Sequence, residues 1–275
     1  MNTNTLSRLF GKFAAHEFPA WFQRIVNMVY VRIFKIDLTE FAPLESYPSL
    51  NALFTRTFKV PRTIESNPKA IISPSDSLIT EVGVVTQDSA LQIKGMAYSV
   101  SELLIKDMPN VKSDNTTEGF GFVNLYLSPS DYHHYHTPCD LDIVEARYFG
   151  GELLPVNMSS LRKNQNLFVR NERVVLVANT VEPEPKRIYF VAVGALNVGK
   201  MVFHFEPRIQ TNAAPNATAI YTYSTPIRLQ KGDEIGYFQM GSTIVLIAQD
   251  ICFDVHIGQK VRFGEKIAML DSRQV

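Results

Sequence analysis

From about residue 60 onward the chain is built of short runs rich in Val, Ile, Phe and Tyr, each closed by turn residues. This rhythm limits the fold more than any other feature. Phe122–Leu127, Val174–Ala178, Ile188–Val193, Ile220–Tyr223 and Thr243–Ala248 are the clearest runs. Apolar and β-branched runs of this length, bounded by Gly, Pro, Asn and Asp, read as strands. Glu182-Pro183-Glu184-Pro185 separates two of them and predicts a hairpin turn. Tyr98–Lys106 (YSVSELLIK) predicts a short helix capped by Ser99 or Ser101. Ahead of the strands, residues 18 to 36 (FPAWFQRIVNMVYVRIFKI) are the most apolar stretch and carry a helical pattern. The expected fold class is therefore α+β. A helical region spans residues 1–60, and a predominantly antiparallel β core, sandwich- or barrel-like, spans 61–275.

The helical stretch is amphipathic. Gln23, Arg24, Asn27, Arg32 and Lys35 take about half of its circumference at ~100° per residue. Trp21, Phe22, Ile25, Val29, Ile33 and Ile36 fill the rest. Its charges leave it short of the roughly 20 clean apolar residues of a spanning helix. Residues 1–36 hold Arg8, Lys12, Arg24, Arg32 and Lys35 against Glu17 alone. A basic, aromatic-rich amphipathic helix reads as a membrane-surface element. The competing reading is a helix packed on its own domain. No secretory signal is expected, because residues 1–10 have no long apolar core and no small-residue cleavage site. The whole chain has 27 basic and 27 acidic residues. That balance argues against wrapping nucleic acid, which needs a basic excess. Cys139 and Cys252 are the only cysteines, too few for a disulfide framework or a four-cysteine zinc site, and a reducing setting fits them best.

Three segments could carry chemistry. The first runs Ser128-Pro129-Ser130-Asp131-Tyr132-His133-His134-Tyr135-His136-Thr137-Pro138-Cys139 and holds three of the six histidines. Imidazole moves protons near neutral pH. A metal site on His133, His136 and Cys139 is a rival reading, although no second ligand cluster completes it. The second is Gly241-Ser242-Thr243 before an apolar strand; a serine there is a nucleophile only if a base lies beside it. The third is Ser73-Pro74-Ser75-Asp76, whose carboxylate could cap a turn or orient a histidine. One internal echo relates residues 229–238 to 255–270: an apolar residue, a glycine and a polar pair in similar turns.

Taken together these segments resemble the phosphatidylserine decarboxylases of the bacterial and mitochondrial type. The resemblance runs through Leu50-Asn51-Ala52-Leu53-Phe54-Thr55-Arg56, Ser73–Asp76, Tyr126–Pro129, Asp131–His133 and His136–Cys139. It continues through Val169–Val174, Val193-Gly194-Ala195 and Gly236-Tyr237-Phe238 to Gly241-Ser242-Thr243. It implies a proenzyme that cuts itself between Gly241 and Ser242, leaving a β chain of residues 1–241 and an α chain of 242–275. A covalent pyruvoyl group would replace Ser242 and form a Schiff base with phosphatidylserine, giving phosphatidylethanolamine, with no metal. Asp76, His136 and Ser242 fall on the self-cleavage triad, and His133 on the histidine of the decarboxylation step. His133 is the candidate proton donor, but either imidazole could serve both steps. His134 matches no functional position. Ser77 stands where relatives commonly have glycine after the triad aspartate.

The resemblance also implies a partner set: an anionic membrane surface, a second copy of the processed chain, and no nucleic acid. Such an enzyme would be a peripheral protein on the cytoplasmic face of the inner membrane. Two other classes fit parts of the sequence. One is a serine hydrolase using Ser242, His136 and Asp76 on an external ester. The other is a non-enzymatic β carrier, suggested by the echo. Both imply a single intact chain.

Overall fold

The computed structural model describes residues 3–93, 96–105, 119–181, 184–196, 200–211, 217–239 and 242–271. Helices α1 (Thr3–Ala15) and α2 (Ala20–Phe34) lead. A 3₁₀ turn (Leu44–Ser46) and α3 (Leu50–Phe54) follow. Ser49 caps α3 by accepting the Ala52 N–H at 3.1 Å, which satisfies one of the free donors of a helix start. Next come β1 (Ala70–Ile72), β2 (Ser77–Val84), β3 (Ser89–Ile93), β4 (Met96–Ser99), α4 (Val100–Ile105), β5 (Gly121–Leu127), β6 (His134–His136) and β7 (Leu141–Phe149). Short helices α5 (Met158–Leu161) and α6 (Leu167–Arg170) precede β8 (Arg173–Thr180), β9 (Arg187–Gly194), β10 (Lys200–Phe203) and β11 (Thr218–Leu229). The chain closes with β12 (Glu234–Gln239), β13 (Ser242–Ala248), β14 (Lys260–Val261) and β15 (Lys266–Met269).

Among the described residues, eight strands form one sheet in the order β11-β7-β8-β9-β13-β5-β2-β14, and each neighbouring pair is antiparallel. The expected α+β class with an antiparallel core is what the chain adopts. Its central strands are apolar at most positions, on both faces, because both faces are covered. Ile244 and Leu246 of β13 point into one core with Leu125, Leu176 and Phe190. Val245 and Ile247 point into the other with Phe122, Val175 and Val191. A three-stranded sheet, β10-β12-β6, supplies Tyr135, Phe203 and Phe238 to the first core. Leu103, Leu161 and Phe168 of α4–α6 supply the second. Each such side chain contributes about 1.5–3 kcal/mol when fully buried.

All five predicted runs fall inside strands. The predicted hairpin joins β8 to β9 in the register Asn179↔Arg187; its tip, Glu182 and Pro183, lies outside the described residues. The predicted helix at 98–106 starts later, at Val100, because Tyr98 is buried and pairs with Ala90 in a β ribbon. Ser99 is nonetheless its cap, accepting the Glu102 N–H at 3.1 Å; Lys106 lies outside the described residues. The echo resolves into similar turns at Gly232 and Gly258, with φ of 87° and 86°. Side chains rarely adopt that backbone conformation.

Helix α2 is inverted relative to an ordinary surface helix. Its buried residues are polar: Gln23 donates to Asn27 Oδ1 at 2.7 Å, and Asn27 donates to the Tyr47 carbonyl at 3.0 Å. Its apolar stripe faces outward, with Trp21 69% and Ile33 66% exposed, and Ile25, Met28 and Val29 beside them. Among the described residues no helix is long and apolar enough to cross a membrane.

The helical region is fastened to the β core just after α3. The Thr55 carbonyl meets His134 Nε2 at 3.0 Å, and His134 Nδ1 meets Glu234 at 2.8 Å.

Candidate active site

His133 ends the turn that follows β5. Asp131 closes that turn by accepting the Ser128 N–H at 2.7 Å, a common aspartate turn. The Asp131 carbonyl lies 2.9 Å from His133 Nδ1. A carbonyl can only accept, so Nδ1 carries the proton and Nε2 is left with a lone pair. Nε2 is buried and has no hydrogen-bond partner among the described residues. The Phe54 ring covers the imidazole at 3.8 Å between centroids. Burial, and then the nearby Arg56 charge, push this imidazole well below the usual histidine range. It is neutral at physiological pH, with its basic atom uncommitted.

His136 lies in β6 and is built the same way. Its Nδ1 donates to the Gly232 carbonyl at 2.9 Å, so Nε2 is again the acceptor. Here the Tyr132 hydroxyl donates to Nε2 at 3.1 Å. Phe263 stacks on the ring at 3.8 Å. Burial pushes this imidazole down to about 4.

Asp76 approaches His136 indirectly. Its carboxylate is held by the Arg62 guanidinium, Nη2 at 3.0 Å with Nη1 also in contact, and accepts the Phe263 N–H at 2.8 Å. Asp76 thus anchors the residue whose ring covers His136, while a backbone carbonyl sets the tautomer of His136. The 73–76 segment runs beside β6, with the His136 N–H donating to the Pro74 carbonyl at 2.9 Å. Ser77 shares a 2.7 Å hydrogen bond with the Ser75 hydroxyl.

Ser242 is the first residue of β13, between Leu127 of β5 and Gly194 of β9. Gly241 and the Ser242 side chain lie outside the described part of the structure. The flanks are well held. The Gly194 N–H donates to the Glu172 carbonyl, and the Gly194 carbonyl accepts from Asn171 Nδ2, both at 2.8 Å. Two residues beyond Leu127 and Gly194, Pro129 and Leu196 line a cavity of about 650 Å³. Phe13, Phe22 and Val29 of the helical region and Phe54 line it too. One apolar hollow is therefore lined by residues just past the strands that flank Ser242 and by the Phe54 ring that covers His133, while His133 itself does not line it.

Cys139 is not at this site. It is packed in the core with Tyr135 and Leu141, and burial pushes its thiol up to about 12. Among the described residues no group of three or more His, Cys, Asp or Glu converges as metal ligands. Sequence reasoning passed over Phe54, Tyr132, Gly232 and Phe263. Only Tyr132, inside the histidine cluster, carried a local signal. His134 is a structural bridge between the helical region and β12 rather than an idle position.

Two neutral imidazoles with directed lone pairs, walled by the Phe54 and Phe263 rings, form a constellation equipped for acid–base chemistry. Comparison with known proteins supplies the family. A family model described as phosphatidylserine decarboxylase matches residues 50–269. The chain is 55% identical over 265 residues to a phosphatidylserine decarboxylase proenzyme of Helicobacter pylori (strain Shi470), covering 96% of each chain. It is 46% identical over 269 residues to the proenzyme of Campylobacter jejuni, covering 95% of this chain and 97% of that one. It is 33% identical over 299 residues to the mitochondrial proenzyme of Rattus norvegicus, covering 98% of this chain and 72% of that one. The chain belongs to the phosphatidylserine decarboxylase family.

Proposed function

We propose that this protein decarboxylates phosphatidylserine to phosphatidylethanolamine after cutting its own backbone between Gly241 and Ser242. One observation carries the reading. The two strands that flank Ser242 run directly into the wall of an apolar cavity, and the same wall includes the ring that covers His133. A polar headgroup at the strand end with acyl chains in the hollow suits that arrangement.

Self-cleavage needs a base for the Ser242 hydroxyl. His136 offers Nε2, neutral down to about pH 4, with its tautomer held by Gly232. The freed oxygen attacks the Gly241 carbonyl and exchanges amide for ester. Loss of the residue 242 Cα proton expels the Gly241 carboxylate. Water then replaces nitrogen, releasing ammonia and leaving a ketone at position 242. Tyr132 shares the His136 lone pair, so the proton path runs past or through its hydroxyl. Asp76 supports this site by holding Phe263 against the imidazole.

The surroundings fit such a pyruvoyl group at residue 242. The strand start is flanked on both sides, and His133 has a buried acceptor without a partner among the described residues. The group would supply an electron sink for the amine-bearing carbon. The substrate amine enters as an ammonium and must shed a proton. His133 Nε2 is the free acceptor, and the imidazolium so formed is the donor to the carbon that loses carbon dioxide. The enclosing Phe54 and Pro129 keep bulk water from competing for that proton.

The reading extends to location. Residues 1–60 form the membrane-associating part and 61–275 the catalytic part. The outward apolar stripe of α2, with basic residues at its flanks, suits immersion in an anionic leaflet, where each basic residue near the surface contributes about 1 kcal/mol. Placement on the cytoplasmic face of the inner membrane and a homodimer of processed chains rest on the family resemblance.

Intact-mass measurement and a denaturing gel test the proposal. It requires two pieces, the smaller beginning at position 242 and resistant to stepwise N-terminal sequencing. A hydrolase acting on an external ester through the same residues would remain one chain.

A further inference from the structure

Arg56 is 2% exposed, yet among the described residues its guanidinium donates to carbonyls rather than to a carboxylate. Nη2 donates to the Ser130 carbonyl at 2.6 Å and the Asp131 carbonyl at 3.0 Å, and Nη1 donates to the Leu53 carbonyl at 3.4 Å. The Phe41 ring lies under the guanidinium at 4.5 Å. Burying a cation against dipoles alone is costly. A purely mechanical fastening of the 128–133 turn would not need a charge. The Asp131 carbonyl is the same oxygen that takes the His133 Nδ1 proton. Its two lone pairs therefore serve two donors, one from the end of α3 and one from the imidazole. Phe54, two residues before Arg56, lies on the His133 ring. One short segment, Phe54–Arg56, thus controls both the tilt of the imidazole and the oxygen that fixes its tautomer.

We infer that Arg56 is a positioning residue for His133: by holding the Asp131 carbonyl it keeps the imidazole proton on Nδ1 and the Nε2 lone pair turned to the substrate. The inference rests on the proposed role of His133 in decarboxylation and deepens it. The charge of Arg56 also opposes an imidazolium at His133 in the resting enzyme. The other charged and titratable groups around the pair are Tyr30 on α2, Tyr47, Asp76, Asp131 and His134. The tautomer of His136 is set by Gly232 instead, so the inference requires self-cleavage to survive the loss of Arg56.

The test uses full-length Arg56→Gln and Arg56→Lys, assayed on phosphatidylserine vesicles, with His133→Ala beside them. In folded Arg56→Gln, both fragments form and kcat falls about tenfold to a hundredfold, the scale of a misplaced catalytic group. KM changes little, and the acid limb of kcat/KM moves to higher pH. Arg56→Lys keeps the charge, so its acid limb stays in place and part of kcat returns. A processed Arg56→Gln with full kcat and an unmoved limb overturns the inference, as does loss of processing together with turnover. If Arg56→Gln does not fold, histidine ¹⁵N spectra of the wild type and Arg56→Lys decide: Nδ1–H at His133 in the wild type supports the inference, and Nε2–H overturns it. Full turnover in His133→Ala would instead remove the underlying role of His133, while the ¹⁵N spectrum still reports on the Arg56 link.

Discussion

At the scale of single residues, two histidines share one design with different consequences. Each gives its Nδ1 proton to a backbone carbonyl, Asp131 or Gly232, and presents Nε2. Among the described residues His133 Nε2 has no partner, whereas His136 Nε2 is held by Tyr132. His133→Ala should therefore still yield both fragments but lose roughly 10²- to 10⁴-fold in turnover, the usual worth of a positioned acid–base group; an assay on purified, processed protein checks this. His136→Ala and Ser242→Ala should remain single chains on a denaturing gel. Asp76→Asn should also remain uncut, because the neutral amide weakens the Arg62 contact that braces Phe263; normal processing would remove Asp76 from the self-cleavage site.

Both imidazoles are held below the ordinary histidine value, so the unfolded chain binds more protons than the folded one as pH falls from about 6.5. Stability is full above that pH and declines toward the folded value of about 4 at His136. Urea midpoints measured from pH 7 to pH 4 should fall accordingly. The histidine cluster and the serine were visible in the sequence as residue types. Their tautomers were not, because the groups that set them are main-chain carbonyls, which carry no side-chain signature.

At the scale of elements, strands were the legible part. Apolar runs in β5, β8, β9 and β13 announce themselves because both faces of the sheet are covered there, whereas the run in β11 lies on an exposed edge strand and alternates instead. The amphipathicity of α2 was equally plain, but which face turns inward was not. That choice depends on one long-range partner, the Tyr47 carbonyl that accepts from Asn27. Exposing Trp21 and Ile33 costs the isolated protein solubility, and the cost is recovered if the stripe enters lipid. Replacing both by serine should release the protein from anionic vesicles in a flotation assay with little change in thermal stability. Retention on the vesicles would show that α2 is not the anchor. Glu234 joins elements in another way. Burial raises its carboxyl, but hydrogen bonds from His134 and His204 outweigh that and hold it down to about 2. Its contribution is present above the ordinary carboxylate range and fades as pH falls toward 2, adding to acid sensitivity at the junction of helices and sheet.

At the scale of the whole molecule, the last segment is threaded through the middle of the fold. β13 has β9 on one side and β5 on the other, β14 closes the sheet edge against β2, and β15 pairs with β1. Leu246→Ala should cost about 2–5 kcal/mol, as deep truncations do, read from urea unfolding of an uncut Ser242→Ala background. A scission before residue 242 leaves every one of these pairings intact, so the halves should travel together in native mass spectrometry. There is an ordering in this that resembles quality control. If Ser242 is the nucleophile, it reaches its base only when β13 has slotted between β5 and β9, so a half-assembled polypeptide has no means of arming itself.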